Sequence, residues 1–221
     1  MLVNQLRNDI DNLWTKFWQG GITNPLTVIE QISYLMFARM LDMQEDLAER
    51  KARGKEFDRL FEDTKEGQLL RWKNFKNMPG EKMLKHLKVD VFPFFATLGK
   101  TNAKGEAHVL AHLGEYMQDA DLEIRNPTVL VEAVNMIERL PLNQSDIKGD
   151  IYEYLLSKLT TAGINGQFRT PRHIIDTMIA MANPQPTDKI CDPACGTAGF
   201  LARTMEYMNK TYSSKEGTFE D

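Results

Sequence analysis

The sequence predicts a mainly α-helical protein, in which a helical bundle domain is followed by the beginning of an α/β domain. Apolar residues recur at the spacing of amphipathic helices in successive stretches before residue 160. Asn-Pro pairs at 24–25 and 126–127 supply a helix cap followed by proline at the first helical position. Further along, the short apolar run Lys189–Cys191 leads into Asp192, small residues and a new helical pattern. That order is typical of a strand, turn and helix at the ligand-binding edge of an α/β sheet.

The first two helices have the clearest signals. Residues 4–19 form an amphipathic helix that Gly20-Gly21 ends, and its apolar face is formed by Leu6, Ile10, Leu13, Trp14 and Phe17. The second helix carries apolar residues around much of its circumference, so we expect it to lie at the centre of the first domain. Its charged far end, from Glu45 to Lys55, is expected to be solvated.

Residues 54–104 have a less regular pattern. Phe57, Leu60 and Phe61 suit a short helix against the core, and residues 81–89 suit another. The run 91–95 is either a buried strand or a packed loop, because the proline at position 93 disfavours a central strand.

Basic residues dominate the stretch from residue 71 to residue 104, where Glu81 and Asp90 supply the acidic charge. The basic residues are Arg71, Lys73, Lys76, Lys82, Lys85, Lys88, Lys100 and Lys104, and Trp72 and Phe75 lie among them. A solvated lysine face over buried aromatic residues is the more common arrangement on ordinary proteins. The alternative is a face that contacts DNA phosphates or a DNA-reading partner.

Three further helices are expected over residues 106–117, 127–140 and 145–159, and Thr170-Pro171 is expected to cap another, whose core face is formed by Ile174, Ile175, Met178 and Ile179. His108 and His112 lie four residues apart in the first of them. A zinc site needs a third ligand, and the glutamate of the H-E-x-x-H pattern is also absent. We therefore assign no metal site.

Composition bounds the class of protein. The chain has 221 residues, of which 42% are hydrophobic, and a net charge of −4. These values suit one or two ordinary globular domains and argue against strong non-specific DNA binding by this chain alone. With no apolar run near the ~18 residues of a membrane span and no signal-peptide pattern, we expect a cytoplasmic protein without membrane association. We expect Cys191 and Cys195 to be reduced thiols.

We place the domain boundary so that residues 1–142 form the helical domain and residues 143–221 form the second domain.

Two segments of the second domain carry a resemblance. Asp192-Pro193-Ala194-Cys195-Gly196-Thr197-Ala198-Gly199-Phe200 meets neither the dinucleotide nor the P-loop pattern, but it resembles the S-adenosylmethionine loop of amino-methylating DNA methyltransferases. Gly166-Gln167-Phe168-Arg169-Thr170-Pro171-Arg172 resembles the second cofactor segment of those enzymes. Together with the run 149–156, the segments are similar to the modification (HsdM) subunit of type I restriction–modification systems. The resemblance is specific over residues 145–205 and implies a Rossmann-like methyltransferase domain.

Three features depart from the family pattern. Ala198 stands where glycine is common, and alanine fits there if its φ is negative. Arg169 stands where an aromatic residue is common, which puts one stacking contact in doubt. The Asn/Asp-Pro-Pro-aromatic motif, which accepts hydrogen bonds from the target adenine in this family, does not occur in the chain. We therefore expect the amino-terminal part of a methyltransferase subunit, with no catalytic residue of its own and no methyl transfer by itself.

The resemblance implies a full-length subunit that transfers a methyl group from S-adenosylmethionine to adenine N6 in DNA. Its implied partners are DNA, the specificity subunit, a second modification subunit and the restriction subunit. The implied cofactor contacts are Gln167, Phe168, Arg169, Thr170, Pro171, Arg172, Asp192, Pro193, Gly196, Thr197, Ala198 and Gly199. Two alternatives stay open: a single-chain adenine methyltransferase of another restriction class, and a non-catalytic DNA-binding or assembly module.

Overall fold

The computed structural model describes residues 4–98, 117, 119–143, 145–161, 170–196 and 198–212. The chain divides into two compact units, Met1–Gly166 and Gln167–Asp221. The helices of the first unit are α1 (Asn4–Gln19), α2 (Pro25–Ala52), α3 (Lys65–Leu69), α4 (Trp72–Phe75), α5 (Gly80–His86), α6 (Phe92–Thr97), α7 (Pro127–Glu138) and α8 (Ser145–Thr161). The second unit contains α9 (Arg172–Ala182) and α10 (Gly199–Tyr212). The domain boundary expected after residue 142 stays a prediction.

Four long helices, α1, α2, α7 and α8, build the core of the first unit, with α2 in contact with each of the other three. Residues of α2 such as Val28, Ile32, Leu35 and Met36 are fully buried, which confirms the central place expected for this helix. The predicted face of α1 is also confirmed, since Ile10, Leu13 and Phe17 are fully buried and Leu6 nearly so. Among the short helices, α4 adds Trp72 and Phe75 to the same core, α6 adds Phe92 and Phe95, and α5 adds Met83.

The predicted Asn-Pro starts are confirmed in atomic detail. The Asn24 side chain accepts a hydrogen bond from the backbone N–H of Leu26 at 3.0 Å, and Asn126 accepts one from Thr128 at 2.9 Å. Each cap satisfies a donor that lacks a partner within its helix. The local sequence therefore determines where α2 and α7 begin.

Residues 87–98 correct one expectation. The run 91–95 is neither strand nor loop, because a π-helical segment, Leu87–Val91, leads directly into α6. Pro93 lies in the first turn of α6, where its missing N–H does not disrupt an α-helical ladder. The wider hydrogen-bonding register of the π segment relieves the same constraint. Val91, Phe92 and Phe95 are buried, so the segment belongs to the core as expected.

The far end of α2 and the segment after it also differ from expectation. Glu45 is fully buried rather than solvated, and its Oε2 accepts a hydrogen bond from the backbone N–H of Leu60 at 2.9 Å. Residues 53–64 form an irregular segment and not the short helix predicted around Phe57. Phe61 still packs into the core as predicted, with 1% of its surface exposed.

The second unit contains no strand among its described residues, so the strand predicted at Lys189–Cys191 is wrong for this structure. A strand needs a neighbouring strand to pair its backbone groups, and no other described segment of this unit is extended in that way. The α/β architecture is therefore not seen, and the described part of the chain is helical.

Candidate functional site

The two helices of the second unit run in the same direction. Three contacts at successive levels establish this: Gly199 lies near Ile175 at the start, Arg203 pairs with Asp176 one turn later, and Tyr207 donates to Asn183 at the far end. The intervening segment 183–198 must therefore return along the helices from the end of α9 to the start of α10. The described parts of the two predicted cofactor segments, residues 170–172 and 192–196, consequently lead into the same end of the helix pair.

A charged clamp, formed by Asp176, Arg203, Glu206 and Lys210, fixes the two helices in this register. The Arg203 guanidinium donates to both oxygens of Asp176, at 2.8 Å and 2.7 Å, and to Glu206 at 2.6 Å. The bond from Arg203 holds the pKa of Asp176 below its usual value. Bidentate pairs of this kind specify orientation as well as proximity. Sequence reasoning missed the clamp, because only the Arg203–Glu206 spacing within α10 was visible as a signal.

The loop before α10 is shaped by Asp192. Its Oδ1 accepts a hydrogen bond from the backbone N–H of Ala194 at 3.1 Å, which closes a local turn. Gly196 then adopts a positive φ of 53°. The first helical hydrogen bond of α10 runs from the N–H of Ala202 to the oxygen of Ala198 at 2.9 Å. The N–H groups of the residues between them have no partner within the helix and suit an anionic ligand.

Ala198 itself departs from the stated condition for alanine. Its φ is +59°, in the left-handed region where a Cβ costs roughly 1–2 kcal/mol. The condition under which alanine would fit without strain, a negative φ, is therefore not met. The cause is the turn itself, since the Ala198 N–H donates to the oxygen of Cys195 at 2.7 Å. Glycine at position 198 would remove the steric cost of the Cβ.

The other predicted contact residues fall in two groups. Thr170 and Pro171 are exposed, Arg172 is half-buried at the start of α9, and Asp192 is half-buried while Pro193 and Gly196 are exposed. The helix predicted after Thr170-Pro171 is present and begins at Arg172, but Pro171 occupies its cap position and no side chain caps it. Gln167, Phe168, Arg169 and Thr197 lie outside the described residues. The assignment of all these residues to a cofactor stays a prediction.

The apolar faces of the second unit are only partly covered. Ile175 and Ile179 are buried, as predicted for α9. Ile174 and Met178, which were expected in the same core face, are 42% and 50% exposed, and Met181 is 82% exposed. These last three residues lie on one side of α9, which is the pattern of a helix that packs against a sheet.

No described residues form a cluster of histidine, cysteine and carboxylate side chains that could hold a metal ion. Cys191 and Cys195 are free and exposed, as expected for reduced thiols. His108 and His112 lie outside the described residues. No described helix is long and apolar enough to cross a membrane.

Much of the predicted basic cluster is paired with carboxylates of α2 and α7. Arg71 is fully buried and donates to Asp42, Asp46 and Glu49 at 2.6–2.7 Å. Lys73 pairs with Asp46 at 2.9 Å. Lys76 pairs with Glu138 at 2.6 Å. The exposed cations that remain on α5 and the π segment are Lys82, Lys85 and Lys88, while Lys100 and Lys104 lie outside the described residues.

Comparison with known families places the chain in one class. The HsdM N-terminal domain family matches residues 6–137, and the N-6 DNA methylase family matches residues 143–219. The first match covers more than half of the chain. The chain therefore belongs to the modification (HsdM) subunits of type I restriction–modification systems, in the region where the HsdM N-terminal domain joins the N-6 DNA methylase family.

Individual relatives agree with this assignment. The type I restriction enzyme EcoEI methylase subunit of Escherichia coli is 28% identical over 200 residues, which cover 87% of this chain and 39% of that protein. The EcoKI methylase subunit of Escherichia coli K12 is 32% identical over 127 residues, covering 50% of this chain and 24% of the relative. This chain thus spans well under half of the length of either curated relative.

Two solved structures share the fold. A modification subunit of a putative type I restriction enzyme from Vibrio vulnificus matches with a TM-score of 0.66 and 23% identity, over 95% of this chain and 47% of that one. A chain from a type I restriction–modification system, studied for its assembly and conformational transition, matches with a TM-score of 0.65 and 21% identity. That match covers 96% of this chain and 42% of the other.

Proposed function

We propose that this chain is the amino-terminal region of a modification subunit that transfers a methyl group from S-adenosylmethionine to adenine N6 in DNA. The observation that carries the proposal is the order of the two family matches along the chain, helical domain first and methylase second. The cofactor supplies the methyl group, and the adenine must leave the base stack to reach it. The sequence lacks the Asn/Asp-Pro-Pro-aromatic motif, so the adenine-binding groups belong to the longer protein.

The contribution of this chain is to hold the cofactor. The free N–H groups at the start of α10 suit the carboxylate of the cofactor's methionine part, because a helix amino terminus carries partial positive charge. One oxygen of Asp192 is used by the Ala194 N–H, which leaves the other to accept from the cofactor's ammonium group. Thr170 to Arg172 lead into the same end of the helix pair and complete the predicted set.

The architecture of the second unit supports the beginning of a Rossmann-like domain, although no strand is seen. Parallel helices joined by a returning segment are the arrangement that βαβ connections produce. In the longer protein, we propose that the segment at Lys189–Cys191 pairs as a strand and that the exposed side of α9, with Ile174, Met178 and Met181, packs on the sheet.

The proposed partners are the specificity subunit, a second modification subunit, the restriction subunit and DNA. The match to the HsdM N-terminal domain favours this assembly over a single-chain methyltransferase. For the DNA contact, we propose Lys82, Lys85 and Lys88 of the basic cluster, since these lysines are exposed, whereas Lys73, also exposed, is paired with Asp46. Reversal of all three charges is expected to weaken DNA binding by the assembled complex, whereas unchanged affinity would remove this face from the DNA contact.

Isothermal calorimetry of S-adenosylmethionine binding tests the cofactor assignment. We expect micromolar binding that Asp192→Ala weakens at least tenfold. Asp188→Ala is the matched control, because Asp188 also accepts a backbone N–H, from Gln185 at 2.8 Å, but lies outside the loop. Equal loss in both variants, or no binding by a folded chain, would show that this region does not hold the cofactor by itself.

A further inference from the structure

An apolar groove runs along one side of α2 in the first unit. Its floor is formed by Phe37, Leu41 and Leu142, which are 7%, 1% and 2% exposed. Met40 and Met43 form half-buried walls, and the groove encloses about 540 Å³. That volume lies within the roughly 300–1,000 Å³ of binding clefts in proteins.

The groove has the shape of a seat for a helix. Its lining on α2 extends from Phe37 to Arg50, which at 1.5 Å per residue is about 20 Å. The positions Phe37, Met40, Gln44 and Leu47 follow one another at three- and four-residue spacing and so share one side of α2. Leu47 is 52% exposed although it lies in this apolar row. A row of this length matches about four turns of a partner helix.

The rim of the groove is positively charged. Arg50 and Lys148 line it. No described carboxylate lies within ion-pair distance of either residue, although the charge of Arg50, after those of Lys73 and Arg71, contributes to the lowered pKa of Asp46. Asp46 also lines the groove, but its carboxylate is already held by Arg71 at 2.6 Å and by Lys73 at 2.9 Å. The remaining charge therefore attracts anionic groups placed on either side of an apolar row.

We propose that this groove binds an amphipathic helix of a partner protein that presents leucine-like side chains to the floor and glutamate or aspartate to the rim. The apolar floor excludes a phosphate backbone, since it offers phosphate oxygens no donor. The two methionines favour a protein side-chain ligand, because their flexible thioethers adapt to irregular apolar surfaces. The site lies in the helical domain and does not depend on the proposed cofactor function.

The test uses the 221-residue chain and two labelled 18-residue helical peptides. Both carry leucine at i, i+3, i+4 and i+7 positions, one with glutamate and the other with lysine on its flanks. Fluorescence anisotropy at about 0.15 M salt, where only close charge pairs survive screening, is expected to show roughly tenfold tighter binding of the glutamate peptide, equivalent to about 1.4 kcal/mol. Equal binding of the two peptides would overturn the proposal.

Variants separate the two features of the groove. Leu47→Gln is expected to weaken the glutamate peptide about tenfold by removing apolar contact without changing the charge of the rim. Leu26→Gln is the matched control, because Leu26 is a similarly exposed leucine of α2, at 46%, outside the groove. Arg50→Glu with Lys148→Glu is expected to reverse the preference to the lysine peptide. Equal weakening by Leu26→Gln, or an unreversed preference, would contradict the site.

Analytical ultracentrifugation tests a competing occupant. A chain that stays monomeric at the peptide-binding concentration supports a partner helix. A dimer that Leu47→Gln dissociates would assign the groove to a second copy and overturn the proposed occupant. Intrinsic tryptophan fluorescence checks the fold of every variant, because Trp14, Trp18 and Trp72 all lie in the first unit.

Discussion

Replacement of Arg71 by methionine tests whether its buried charge cluster stabilises the first unit. The Arg71 side chain is 0% exposed and makes three ion pairs at 2.6–2.7 Å. Asp42 is also buried, with 6% of its side chain exposed, whereas the side chains of Asp46 and Glu49 are 36% and 33% exposed. Loss of the guanidinium therefore strands one carboxylate in the interior and leaves two that water can reach.

The expected cost follows from that difference. Removal of one partner of a buried ion pair costs about 3–5 kcal/mol, and the lower end applies because only Asp42 stays without solvent. A loss of about 3 kcal/mol is a large part of the roughly 5–15 kcal/mol that stabilises a typical domain. Lys73→Met is the control, since the Lys73 side chain is 41% exposed and an exposed pair contributes about 0–1 kcal/mol.

Urea unfolding followed by tryptophan fluorescence measures these free energies for the first unit, where all three tryptophans lie. A second change, Asp42→Asn, is expected to restore part of the loss in the Arg71→Met background. The neutral amide of asparagine removes the unpaired charge. Its oxygen can still accept the hydrogen bond that the backbone N–H of Lys73 donates to Asp42 Oδ2 at 2.9 Å in the wild type. A cost for Arg71→Met no greater than for Lys73→Met would refute the reasoning.

The remaining predictions concern the loop, one buried acid and the clamp. Ala198→Gly is expected to stabilise the second unit by about 0.5–1 kcal/mol and Gly196→Ala to destabilise it by about 1 kcal/mol, because both positions have positive φ. Hydrogen exchange of the amides in 192–212 measures both changes in free energy. Changes of the same sign in the two variants would contradict the prediction. Burial raises the pKa of Glu45 above 4.5, so the stability linked to its proton is full below that pH and is lost as pH rises through the folded-state pKa. The stability of Glu45→Gln should therefore rise relative to that of the wild type as pH increases from 4 to 8. A difference in urea unfolding free energy that stays constant across that range would contradict this prediction. The hydrogen bond from Arg203 lowers the pKa of Asp176, so the stability that the clamp contributes is lost as pH falls through the folded-state pKa of Asp176. Arg203→Leu should cost the second unit about 1 kcal/mol of stability after solvent screening, measured by hydrogen exchange. An unchanged exchange rate would show that the clamp contributes nothing.

Local signals explain which elements of the fold could be predicted. The Asn24 and Asn126 caps act within three residues of themselves, so the sequence alone determines the starts of α2 and α7. The buried face of α1 could also be predicted, because the apolar residues of α1 lie on a single side of that helix. The methyltransferase loop could be recognised from the residues 192–200, although its backbone geometry could not, as the positive φ of Ala198 shows.

The sequence by itself determined the helical class, the helix starts and the family resemblance, since each depends on residues close together in the chain. Only the tertiary structure decided which charged side chains pair, because the partners of Arg71 lie more than twenty residues away in sequence, on α2. It also decided the parallel pairing of α9 and α10, which rests on Asp176 and Arg203 from different helices. The predicted strand at Lys189–Cys191 failed for the same reason: a strand is defined by its neighbours, and a short apolar run contains no information about whether they are present.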